Sequence, residues 1–290
     1  MLTRRRFLKL VLSGIVAGAA FIGFPVTEAM ATPRITRYAF RPPNWTRGLN
    51  LKIVVLSDFH ACEPWMTAER VGAICAQANA LQPDLILLLG DYVAATQFVT
   101  GETDPASWAH ALAELKAPLG VHAIMGNHDY WHDLAFQRDP ARPALAETAL
   151  RNAGIPVYIN EAVRLDKDGH PFWLAGLGDQ LAMRSHGLDD LSGTLGQITD
   201  MAPVVLLAHE PDIFPQVPER VQLTLSGHTH GGQVNFFGWA PIVPSRFGRR
   251  YLGGHIVENG NHIIVSRGLG CTGLPVRFGA WPEIVEIDLG

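Results

Sequence analysis

Five short apolar runs, each ending within a few residues in a side chain able to bind a metal, constrain this chain more than any other feature. Leu51–Ser57 leads to Asp58 and His60, and Leu85–Leu89 leads to Asp91. Val121–Met125 leads to Asn127 and His128, Pro203–Ala208 to His209, and Val221–Leu225 to His228 and His230. Short β-branched and aliphatic runs without alternation are strands buried on both faces. A helical pattern over Thr67–Leu81 separates the first two, with Thr67 as cap, an apolar stripe at Val71, Ile74, Cys75, Ala78 and Leu81, and Pro83 as stop. Strands alternating with helices indicate a layered α/β fold, in which ligands bind beyond the carboxyl ends of the strands.

Further elements follow the same signals. Helical segments are expected at Ser107–Leu115 and Pro143–Asn152, with one short helix between Asp179 and Thr199. Strands are expected at Ile155–Ile159, Ala162–Leu165, Phe172–Leu177, His255–Val257, His262–Ser266 and Glu283–Leu289, with turns at Asp166–Gly169 and Asn259-Gly260. Residues 51–290 read as one domain, and 48% hydrophobic residues suffice for its core.

Before that domain come two segments of another kind. Arg4-Arg5-Arg6-Phe7-Leu8-Lys9 precedes an apolar run from Leu10 to Phe24, and Ala29-Met30-Ala31 has the small-x-small form of a cleavage site. Residues 1–31 therefore read as an export signal, and the paired arginines followed by Phe-Leu-Lys resemble the twin-arginine type. A general secretory signal or an uncleaved anchor is the alternative. Export by that machinery places the chain in the periplasm, at the outer face of the cytoplasmic membrane or at the cell wall. The segment holds four basic residues (Arg4, Arg5, Arg6, Lys9) and one acid (Glu28), so its removal takes the net charge from −4 to −7. Bulk nucleic-acid binding is therefore not expected, since it rests on Lys and Arg neutralising phosphates. Residues 32–50, rich in Pro and Arg, read as an extended lead-in. Three scattered cysteines, Cys62, Cys75 and Cys271, indicate neither a disulfide framework nor a zinc ribbon.

The donors themselves point to a pair of ions. On extended backbone, side chains at i and i+2 share a face, so Asp58 with His60, and His228 with His230, are expected to converge. Asp58, His60, Asp91, Asn127, His209, His228 and His230 make seven donors, more than one ion needs. Two ions roughly 3.5–4 Å apart, sharing one carboxylate, would use them all. Imidazole, carboxylate and amide donors without thiolate suit Mn, Fe, Zn or Co.

Asp-x-His, Gly-Asp, Gly-Asn-His-Asp, a lone His and Gly-His-x-His, in this order, resemble the signature blocks of the calcineurin-like metallophosphoesterase superfamily. The stretches His230–Gln233, Pro244–Arg250 and Ser266–Gly270 are similar to its twin-arginine-exported envelope phosphodiesterases. The resemblance implies a four-layer α/β/β/α sandwich of two mixed sheets flanked by helices. It further implies that Asp58, His60 and His230 hold one metal, that Asn127, His209 and His228 hold the other, and that Asp91 bridges them. His128 would bind no metal and would assist the leaving group while a hydroxide shared by the ions attacks phosphorus. The implied activity is phosphodiester hydrolysis. The alternatives are a pyrophosphatase acting on a UDP-linked diacylglucosamine or another lipid- or envelope-linked substrate, a phosphomonoesterase, or a non-catalytic metal-binding envelope protein. One departure is Ala94, where the family's second block often carries a carboxylate.

Residues outside the blocks have simpler expectations. Asp129 and Glu210 orient their neighbours, and His132 is the closest of the remaining histidines to a block. Arg246, Arg249, Arg250, Arg267 and Arg277 are expected partly at the surface, with Arg249 and Arg267 as candidates for substrate phosphate. Phe236, Phe237 and Trp239 are expected to pack beneath a loop, the alternative being an exposed apolar groove.

Overall fold

The computed structural model describes residues 4, 5, 9 and 23–290, so most of the expected export signal lies outside the described residues. Thirteen strands follow in order: β1 Arg34–Phe40, β2 Leu51–Leu56, β3 Cys62–Glu63, β4 Leu85–Leu88, β5 Gly101–Glu102, β6 Val121–Ala123 and β7 Glu161–Lys167, then β8 His170–Gly176, β9 Val204–Leu207, β10 Leu223–Ser226, β11 Gly254–Glu258, β12 Asn261–Val265 and β13 Glu283–Leu289. Two mixed sheets form, one in the order β1-β13-β2-β4-β6 and the other β11-β12-β10-β9-β8-β7, with β3 and β5 as a small separate pair.

The apolar runs go where their composition sends them. Alternate residues of β2 and β4 divide between two cores: Ile53, Val55, Leu85 and Leu87 face the second sheet, where they meet Leu174, Val205, Leu207, Leu223 and Leu225. Val54, Leu56, Ile86 and Leu88 face outward, under helices that contribute Val71, Ile74, Trp108, Leu112 and Leu150. The outer face of the second sheet packs on Ile213, Phe214, Val217 and Tyr251. This is the expected four-layer α/β/β/α arrangement, but its last layer is thin. It consists of the Leu191–Gly196 helix and short 3-10 turns at Pro211–Gln216 and Gly248–Tyr251.

Local signals explain the element ends. Thr67 caps the Ala68–Asn79 helix, its Oγ1 accepting from Arg70 N at 3.2 Å. Asp168 and Gly169, and likewise Asn259 and Gly260, all have positive φ, which gives the two hairpins the turn that matches strand twist. Two expectations are corrected. The lead-in is not merely extended, because its Arg34–Phe40 pairs in parallel with β13 as the sheet's edge strand. Ile155–Ile159 forms no strand: Pro156 has no N–H to give, and only a single bridge joins Val157 to Ala123.

Strand direction positions the site. β2, β4 and β6 are parallel neighbours, as are β9 and β10. Their carboxyl ends therefore open on the same edge of each sheet.

Candidate metal centre

At that edge the seven predicted donors come together. Asp58, His60 and His230 form one cluster and Asp91, His209 and His228 another, the ligand atoms within each lying no more than 4.8 Å apart. Asn127 Oδ1 is 2.9 Å from His228 Nδ1, which attaches it to the second cluster. Asp91 Oδ2 lies 3.2 Å from His209 Nε2 and 3.5 Å from His60 Nε2, and so faces both. All seven are buried, at most 7% exposed.

The convergence does not arise from strand alternation. β2 stops at Leu56 and β10 at Ser226, before the donors begin. Asp58, His60, Asp91, His228 and His230 all have φ between 49° and 68°, the left-handed region that non-glycine residues avoid. Close approach also fixes two glycines. A Cβ on Gly126 would lie 2.4 Å from Asp91 Oδ1, and one on Gly227 would lie 2.1 Å from Ser57 Oγ.

Backbone amides hold the carboxylates in place. Asp58 Oδ1 accepts from His228 N at 3.0 Å, and Asp91 Oδ1 from His128 N at 2.9 Å. Behind them the Asp129 carboxylate ties two loops together. Its Oδ2 accepts from Gly126 N and Asp91 N, both at 2.9 Å, and its Oδ1 from Tyr92 N and Val93 N at 2.8 and 3.2 Å. Burial and the charge of Asp91 push the Asp129 carboxyl up to about 7, against four N–H groups that favour the anion.

The donor orientations call for cations. His60 Nδ1 lies 3.0 Å from Val93 O and His209 Nδ1 lies 2.6 Å from Leu89 O, so both must donate there. Their Nε2 lone pairs then face the Asp91 carboxylate, whose Oδ2 lies 3.5 Å from His60 Nε2 and 3.2 Å from His209 Nε2. Acceptor against acceptor in a buried site is unfavourable unless a proton or a metal ion lies between them. Burial disfavours charge on Asp91 and His209, yet each outweighs that for the other, holding Asp91 well below the carboxylate range and His209 well above its ordinary value. Burial, aided by His60, Arg277 and His228, keeps His230 well below its usual value. The residues present thus fit two divalent cations.

His128 stands half-buried beside this cluster, its ring centroid 5.2 Å from that of His60. Burial pushes it down to about 3, despite Asp91, so it is neutral near pH 7. Its Nδ1 is 3.1 Å from Nε2 of the exposed His132.

Several residues departed from expectation. Arg277 is wholly buried, where a surface position was expected, because its guanidinium serves carbonyls: Gly270 O, Arg267 O and Ala280 O. It also lies 3.2 Å from His230 Nδ1. Its apolar flanks, Val276 and Phe278, are the one sequence hint of burial. Asp179, at the start of the polar stretch that carries the short Leu191–Gly196 helix, is buried against Glu210 behind His209, and that burial and neighbour raise it well above the carboxylate range. Phe237 is fully exposed and Trp239 is 53% exposed, so the aromatic cluster does not pack beneath a loop. Of the two candidate arginines, Arg267 packs its stem on Gly231 and pairs with Glu283 at 2.9 Å, while the exposed Arg249 donates to Gly238 O at 3.4 Å.

Comparison with known proteins agrees with this geometry. The model of the calcineurin-like phosphoesterase family matches residues 51–232. Over 99% of its length the chain is 32% identical to the metallophosphoesterase YkuE of Bacillus subtilis (strain 168), covering 98% of that protein. A metallophosphoesterase of Aquifex aeolicus (strain VF5) is 30% identical over 88% of this chain and 91% of its own. Phosphodiesterase YaeI of Escherichia coli (strain K12) is 28% identical over the whole of both. Since the matched segment supplies every one of the seven donors, the chain belongs to the calcineurin-like phosphoesterase family.

Proposed function

We propose that this chain is a two-metal phosphodiesterase, exported by the twin-arginine route to the cell envelope. The carrying observation is the approach of the His60 and His209 imidazole acceptors to the Asp91 carboxylate in the buried cluster, which only cations or protons can relieve. Asp58, His60 and His230 would hold one ion and Asn127, His209 and His228 the other, with Asp91 between them; the donor set suits Mn, Fe or Zn. Such ions neutralise phosphoryl oxygens and bring the pKa of water down to about 7.

The protein's own groups do the rest. With His132 Nε2–H donating to its Nδ1, His128 presents Nε2–H outward, as a neutral donor to a phosphoryl or departing oxygen. Two arginines reach the Gly-His-Thr-His loop, and both are engaged elsewhere: Arg277 on carbonyls, Arg267 on Glu283. The singly charged diester suits such a site better than the monoester dianion, which would bring one more charge to neutralise. The name of the E. coli relative also supports the diester. The arginine pair at Arg4-Arg5 and the Ala29-Met30-Ala31 site support export.

The test is to purify the chain, measure bound metal, and compare bis(p-nitrophenyl) phosphate with p-nitrophenyl phosphate in added Mn. Near-stoichiometric loading of two ions and faster diester turnover are expected. Hydrolysis of neither compound with Mn, Fe or Zn would refute the reading.

A further inference from the structure

Beside the donor cluster lies a second space that the two-ion reading leaves unexplained. The loops following β10 and β12 enclose a cleft of about 450 Å³, lined in part by Thr229, His230, Gln233, Ile242, Leu274 and Val276. That size falls within the roughly 300–1,000 Å³ of small-molecule sites. His230 belongs both to this wall and to the first donor cluster, so the cleft borders the donor cluster.

Its wall is largely apolar, and the polar side chains of Gln233 and Thr229 are already used. Gln233 Nε2 donates to Thr272 O and Leu274 O, both at 3.0 Å, and its Oε1 accepts from Thr272 N at 2.9 Å. Thr229 Oγ1 donates to Leu252 O at 2.9 Å. No Asp, Glu, Lys or Arg is among the lining residues. A sugar or nucleobase here would find its hydroxyls and amides unpaired, whereas a hydrocarbon chain would not.

The mouth points the same way. Ile242 is 77% exposed and Leu274 50%, and Phe237 stands free in solvent nearby in sequence. Phe236 packs on Phe278 beside them. Such clustered exposed apolar side chains mark lipid-facing surface.

From these observations we infer that the cleft holds a hydrocarbon tail of the substrate, which is a phosphodiester of a membrane lipid. Hydrolysis adds the oxygen of water to phosphorus, breaks one P–O ester bond and returns the proton to the departing alkoxide, so no further reactant is needed. The inference rests on the phosphodiesterase reading for its chemistry, though not for the occupant of the cleft.

Methyl and decyl p-nitrophenyl phosphate, both below micellar concentration, test it on the Mn-loaded chain. A buried methylene is worth up to about fourfold, so partial burial of the decyl chain should raise kcat/KM about 100-fold over the methyl ester. Ile242→Asp and Leu274→Asp should each cut that decyl-to-methyl ratio at least about tenfold. Equal rates for the two esters, or a ratio unchanged in both variants, overturns the inference. If neither ester is hydrolysed, the phosphodiesterase reading fails, and calorimetric titration with methyl decyl phosphate then decides the cleft. Binding that Leu274→Asp abolishes supports the tail site, and no binding to the unaltered chain overturns it.

Discussion

Asp129→Asn isolates the strut behind the metal centre without touching a ligand. Each carboxylate oxygen accepts two backbone N–H groups, Oδ2 from Gly126 and Asp91 and Oδ1 from Tyr92 and Val93. An amide cannot reproduce this, because whichever way it turns, its NH2 faces two N–H donors. Two charge-assisted hydrogen bonds are lost and two buried N–H groups are left unpaired, at about 1.5–3 kcal/mol for each bond, or about 3–6 kcal/mol in all. For a domain of this size 1 kcal/mol moves Tm by roughly 2–4 °C, so the metal-free variant should melt about 6–24 °C below the unaltered chain. The loops bearing Asp91 and Asn127 loosen together, so metal retained through desalting should fall as well. Scanning calorimetry and elemental analysis read the two effects. A variant that keeps its bound metal and melts within about two degrees of the parent would refute the strut.

Other expectations follow from the same geometry. Gly126→Ala, whose Cβ would stand 2.4 Å from Asp91 Oδ1, should reduce bound metal at least tenfold by elemental analysis, on the order of the lost affinity seen when ligand-supporting contacts go. His128, pushed down to about 3 by burial and driven further the same way by any nearby cation, should show no NMR titration between about pH 5 and 8; an inflection near 6.5 would contradict its neutrality. The three cysteines are buried, and burial raises the Cys75 thiol to about 12, so a thiol reagent at pH 8 should label none in the native chain and all three after denaturation.

The strands were legible because burial on both faces leaves an unbroken apolar run, and Glu283–Leu289 was read to the residue. Which side chains converge was legible for a related reason: a donor must follow directly on the strand that carries it to the shared edge. The route by which donors converge was not. Alternation along a strand is a local rule, while the left-handed backbone at Asp58 and His230 is imposed by neighbouring loops, as where Leu269 N and Gly270 N bond Ser57 O and Asp58 O. Long-range supports escaped for the same reason. Nothing in the stretch around Asp179 distinguishes a buried carboxyl beside Glu210 from a solvated one, and Arg277 gains its partners only when the 267–280 loop folds around it. The parallel edge strand Arg34–Phe40 was hidden by its composition, since one face stays in water and no apolar run results.

Arg277 also sets an order of metal loading. A guanidinium only donates, so its approach to His230 Nδ1 at 3.2 Å favours the tautomer with the proton on Nε2, the atom that faces His60 and Asp58. His60 and His209 have the opposite arrangement, Nδ1–H on a carbonyl and Nε2 turned towards the cluster. A cation joining Asp58, His60 and His230 must therefore break the Arg277 contact as well as move a proton, whereas one joining Asp91, Asn127, His209 and His228 displaces the proton held between His209 and Asp91 but breaks no Arg277 contact. A hydrogen bond from a charged donor is worth about 1.5–3 kcal/mol, so the second site should bind about 10- to 150-fold more tightly than the first. Titration of the metal-free chain with Zn should then show two resolved steps by calorimetry. The first step should perturb the NMR signals of His209 and His228 while leaving His60 unchanged. Simultaneous filling of both sites, or His60 responding first, would show that the Arg277 contact does not govern the site.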